Sequence, residues 1–149
     1  MGVSGIMSIK NVKKQFKKLE FSLVFEQLEK QNYCFSFENL THDFPGIDSQ
    51  TMYLFLMFLN SQKETPDIHL IICKCLYFME PYMVGADNLI KWHLTRALEI
   101  SPNNQDVLKN WIFGIYAANP DCPFTDLELK EYRQRLNIAD SKNERTGDS

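Results

Sequence analysis

His69, Cys73 and Cys75 are the residues best suited by type and closeness to hold a metal. His69 and Cys73 are four apart and share one helical face, but Cys75 is turned ~200° from Cys73 on an ideal helix. The three cannot converge on one ion, and a structural zinc site takes four ligands in characteristic pairs. The simpler role for these thiols is that of small apolar core side chains. A nucleophilic pair of Cys34 with His42 or His93 has no orienting group or oxyanion site announced beside it. The six glycines are scattered, with no phosphate-cradling loop. The carboxylates of Asp126 and Glu128 are explained by helix capping and the helix dipole. No catalytic, metal or cofactor-binding residue is therefore assigned, and the chain reads as non-enzymatic.

What remains is chemistry for binding a partner. Asp121, Asp126, Glu128 and Glu131 lie close in sequence to Phe124 and Tyr132. Charge of one sign steers encounter with a basic partner, and aromatic rings supply buried area. Trp92 stands apart as a further anchor. At the other end Lys10, Lys13, Lys14, Lys17, Lys18 and Lys30 make the first helical stretch basic, diluted by Glu20, Glu26 and Glu29. That face is read as solvated, with a membrane surface or RNA as its sharper uses.

Bulk properties bound these readings. The 149 residues suffice for one domain with a substantial core. The chain is 44% hydrophobic and 23% charged, ordinary for a globular protein, and eleven Phe and six Tyr promise an aromatic core. A net charge of −3 argues against a molecule built to coat nucleic acid. Four cysteines without zinc-finger spacing, and no secretory signal, lead to the expectation of free thiols in a cytoplasmic protein. The apolar run Met52 to Leu59 is too short to span a bilayer.

Six helices are expected to position these groups. Ile9, Val12, Phe16, Leu19 and Leu23 repeat at steps of three and four, predicting one helix to about Glu29. Tyr33 to Leu40 reads as an irregular aromatic segment or a short helix. Asp48 or Ser49 caps a helix through Leu59 that is apolar all round and so is expected to be wrapped on every side. Thr65-Pro66-Asp67 starts the next helix, which Pro81 ends or kinks. Leu89, Ile90, Leu94, Ala97 and Leu98 stripe a helix with Asp87 as its N-cap. Pro102 stops it, and Asn103 or Asn104 caps another with Val107, Leu108, Trp111, Ile112 and Ile115 on its apolar face. Thr125 and Glu128 form a capping box for a last helix to about Asn137.

The stretch Gly85 to Ala118 resembles the junction between two tetratricopeptide repeats. Ala97, Leu98, Pro102, Asn103 and Asn104 carry the resemblance, with Leu94, Leu108 and Trp111 at large apolar positions and Gly85 at the preceding turn; Ile112 and Pro81 depart from the family pattern. The resemblance implies helical hairpins packed in the manner of repeats.

The expected molecule is all-α, about six helices packed as antiparallel hairpins in an irregular bundle or short solenoid. Residues 1–7 are expected to be flexible, with Met7 an alternative start, 8–138 to form a single helical domain, and 139–149 a disordered tail. Its expected function is protein binding, most specifically as an immunity or inhibitor protein that masks a toxin such as a basic nuclease. A scaffold or adaptor subunit, and an RNA-associated factor using the first-helix lysines, are the alternatives. Neither a membrane nor direct nucleic-acid contact is expected of the main reading.

Overall fold

The computed structural model describes residues 6–79 and 83–147, with side chains to residue 137. Among the described residues there are eight helices and no strand. They are α1 (Ile9–Lys17), α2 (Phe21–Lys30), α3 (Phe37–Asp43), α4 (Ser49–Gln62), α5 (Pro66–Lys74, continued by a π-helical turn, Cys75–Met79), α6 (Ala86–Ile100), α7 (Asp106–Tyr116) and α8 (Asp126–Gly147). The chain divides into two compact units, Met1–Pro81 and Tyr82–Ser149, where one domain was expected.

The first unit holds α1 to α5. The single helix expected from Ile9 to Glu29 is broken in two. Leu19 adopts φ 61°, the amide of Glu20 donates back to Gln15 O at 3.1 Å, and the chain turns into α2. This closes α1 as a Schellman-type cap without the usual glycine, so no residue type marks the break. Asn32 (φ 53°) ends α2 in the same way, with the Tyr33 amide donating to Leu28 O at 3.0 Å. The aromatic segment that follows becomes irregular to Ser36, whose hydroxyl accepts from the Asn39 amide to start α3. Asp48 and Thr65 cap α4 and α5 as their residue types predict.

The core of this unit is aromatic. Phe16 is fully buried, with ring centroids of Phe55, Phe44 and Phe21 at 4.6, 5.3 and 6.0 Å. Val12, Val24, Leu28, Leu40, Leu56, Leu59 and Ile72 are buried in the same unit. Helix α4 is not enclosed on all sides: Met52, Phe55, Leu56 and Leu59 are buried, but Leu54 is 51% exposed. Its apolar far side is thus tolerated at the surface, as much apolar area is in any folded protein.

The second unit holds α6 to α8. Gly85, in the left-handed region at φ 83°, occupies the N-cap of α6, so Asp87 does not cap it. The Asp87 carboxylate instead accepts from the Tyr116 hydroxyl at 3.0 Å, tying α6 to α7. Asn104 starts α7, its side-chain oxygen accepting from the Val107 amide at 3.1 Å. Helix α7 winds as a π-helix, and the Ala117 amide still reaches Ile112 O, five residues back, at 2.7 Å. The wider winding brings Tyr116, not Ile115, onto the buried side beside Val107, Leu108, Trp111 and Ile112. Gly114 suits it, because a Cβ there would lie 3.0 Å from Lys109 O. In α6, Ala86, Ile90, His93, Leu94, Ala97 and Leu98 are buried, and Leu89 is 37% exposed. The last helix continues in backbone to Gly147, past the end expected near Asn137.

Near the N-terminus, the Met7 amide donates to Gln27 Oε1 at 2.9 Å and its carbonyl accepts from Gln31 at 2.7 Å, so residue 7 is held against α2. Residues 1–5 of the segment expected to be flexible lie outside the described residues, as does Pro81.

Candidate functional site

Asn88, Lys91, Trp92, Thr95, Arg96 and Glu99 fall at steps of three and four on α6, so they share the face opposite the Ile90–Leu94–Leu98 stripe. With Glu128 of α8 they line an open groove of about 650 Å³. Trp92 is 55% exposed in this groove, its ring edge-on to the buried ring of His93 with centroids 4.9 Å apart. Tryptophan is the side chain most enriched among the residues that carry binding energy at protein interfaces.

The charges beside the indole are held in place. Lys91 Nζ donates to Glu128 Oε1 at 2.9 Å and to Pro123 O at 3.1 Å, and lies 5.5 Å from the centre of the Phe124 ring. Glu128 Oε1 also accepts from the Thr125 amide at 2.9 Å, while the Thr125 hydroxyl accepts from the Glu128 amide at 3.1 Å. The capping box thus forms and is tied to α6 through Lys91. The Thr125 amide, and after it Lys91, hold the Glu128 carboxyl below its ordinary range. A carboxylate so stabilised is a fixed charge and a poor proton acceptor at neutral pH. Arg96 and Glu99 form a second pair at 2.9 Å.

The residues expected to bind a partner are therefore redistributed. Trp92 and Glu128 line one groove. Phe124 and Tyr132 do not face water: they are 5% and 7% exposed, packed edge-to-face at 5.9 Å, with Phe124 also against Tyr116. They anchor α8 to its own unit. Glu131 pairs with Arg135 at 2.7 Å, and Asp121 and Asp126 are exposed outside the groove lining. Asn88, Lys91, Thr95, Arg96 and Glu99 were missed as a site. Their signal was a tryptophan in the middle of a polar helical face.

The thiols and imidazoles are placed as core or surface groups. His69 is fully buried, its Nε2 2.7 Å from Glu64 Oε2. Cys73 and Cys75 are buried, and burial alone pushes the Cys73 thiol far up from its ordinary value, so it does not ionise near neutrality. Cys34 is exposed, and His42 Nδ1 faces Asp43 at 3.2 Å. Among the described residues no three His, Cys, Asp or Glu side chains are grouped to hold a metal ion, and no helix is long and apolar enough to cross a membrane. Compared with protein-family models, curated proteins and solved structures, the chain matches none.

Proposed function

We propose that this protein is a non-enzymatic binding module whose docking face is the α6 surface around Trp92. The exposed indole in the 650 Å³ groove carries the reading. A large flat side chain can insert into a partner's pocket, while Lys91–Glu128 and Arg96–Glu99 form a charged rim whose pairing limits the desolvation cost of docking. Leu89 and Ile100, 37% and 38% exposed on the same helix, extend the apolar part of that surface.

The most specific form of the proposal is an inhibitor or immunity protein that masks a toxin, a basic nuclease being a natural target for a chain of net charge −3. The test is co-purification from the native host with wild type and Trp92→Ala. The expected result is one stoichiometric partner retained by wild type and released by the variant, whose thermal melt stays unchanged because Trp92 is not a core residue. An isolated partner whose activity is blocked on adding back wild type supports the inhibitor form. A partner held equally by Trp92→Ala would refute the docking face, and a partner that is an assembly subunit without inhibited activity would make the protein a scaffold.

A further inference from the structure

We propose that Lys13 and Lys17 of α1 form a site for the phosphate group of an anionic lipid surface, in the first unit and separate from the Trp92 groove. The starting point is Gly46. Its φ is not in the left-handed region, where Gly85 alone stands among the described glycines, so backbone conformation does not require a glycine there. What its missing side chain provides is room. A Cβ at 46 would lie 2.8 Å from Lys13 Nζ, 3.1 Å from Lys13 Cε and 3.8 Å from Lys17 Nζ. Both ammonium groups therefore gather over one bare stretch of backbone, within about 7 Å of each other.

No carboxylate among the described residues lies within ion-pair distance of either lysine. The two acids nearest Gly46 in sequence have other partners: Asp43 accepts from the Tyr33 hydroxyl at 2.8 Å, and Asp48 accepts from the Thr51 amide at 2.7 Å. Like charges four apart on a helix repel. One phosphate, with oxygens ~2.5 Å apart and charge-assisted bonds of ~2.8 Å, spans two nitrogens at this separation and turns repulsion into attraction.

The surroundings point to a lipid surface as the source. Lys10, Lys14 and Lys18 lie with this pair in a ~140° arc of the helix, opposite the buried Val12 and Phe16. A row of lysines meets many headgroups at once, each adding to the attraction. Aliphatic side chains at both ends of the row, Ile6 at 48% and Leu19 at 54% exposure, can enter the acyl boundary. Among the described residues of α1 the one aromatic ring, Phe16, is buried, so the lysine face offers none to stack on bases, as single-stranded nucleic acid would want.

The test is co-sedimentation of the full chain with phosphatidylcholine vesicles, with and without phosphatidylglycerol. Lys13→Gln/Lys17→Gln is compared with a charge-matched control, Lys63→Gln/Lys130→Gln. Binding is expected only to the anionic vesicles, to weaken by about tenfold or more in the first double variant, and by less than about threefold in the control. Gly46→Ala, which displaces the Lys13 ammonium, should weaken it severalfold with an unchanged circular dichroism spectrum. Equal losses in both double variants would reduce the effect to diffuse charge and overturn the site. Two further outcomes overturn the lipid source: side-chain NMR shifts of Lys13 and Lys17 with inorganic phosphate but no vesicle binding, or lysine-dependent retention on duplex RNA alone.

Discussion

The Lys91–Glu128 bond is the most measurable link between α6 and the start of α8. Its two side chains keep 28% and 31% of their surface in water. A charge-assisted bond fully removed from water contributes ~1.5–3 kcal/mol, and an exposed pair ~0.2–1 kcal/mol. At roughly two-thirds burial the coupling should be ~1 kcal/mol, equivalent to a shift of ~0.5 M in a urea midpoint. The assay is a double-mutant cycle with Lys91→Met and Glu128→Gln, in urea melts followed by circular dichroism; the Pro123 carbonyl lost to Lys91 is common to both arms and cancels. The pH dependence has a definite sign. The folded Glu128 carboxyl titrates below its unfolded value of ~4.3, so its contribution is complete above that value and is lost as pH falls through the lower, folded one. Coupling should be full at pH 7, fall toward zero in strong acid, and be absent at every pH once residue 128 is glutamine. A coupling under ~0.3 kcal/mol at pH 7, or one unchanged in acid, would show that the pair does not link the two helices.

Other outcomes follow from the same geometry. Phe16→Ala should cost ~3–5 kcal/mol in chemical denaturation, and Phe16→Leu under ~1.5 kcal/mol, because Leu keeps most of the volume; similar costs for both would contradict this and mean that the three ring contacts, not volume, carry the stability. With a thiol reagent under native conditions, the exposed Cys34 should react first, and Cys73 and Cys75 only on unfolding; four equal rates would contradict their burial. Gly85→Ala should lose ~1–2 kcal/mol, because nothing lies within 4 Å of the new methyl and only its φ of 83° resists it; a gain in melting temperature would show that α6 starts elsewhere.

The starts of α4, α5 and α8 were legible in the sequence because capping is local, whereas Gly85 and not the expected Asp87 caps α6. Asp48, Thr65 and the Thr125–Glu128 pair each need only a side-chain oxygen and an amide three residues away. Helix type followed from spacing for the same reason, and so did the buried stripe of α6 at Ile90, Leu94, Ala97 and Leu98, though not at Leu89. The turn at Leu19 was not legible, since a leucine with positive φ is disfavoured locally and is held by the packing of α1 and α2. Nor was the winding of α7, which moves Tyr116 inward by widening the hydrogen-bond span from four residues to five.

The candidate site shows the same division. Composition alone marked Trp92, Phe124 and Tyr132 as aromatic anchors, but a ring's type does not say which way it faces. Tertiary packing turned Phe124 and Tyr132 into the core, left Trp92 outside, and brought Lys91 across 37 residues to Glu128. Local chemistry thus determined where α4, α5 and α8 begin and which residues were eligible to bind. Which of them meet water, and which charges are already paired, depended on contacts between segments far apart in the chain.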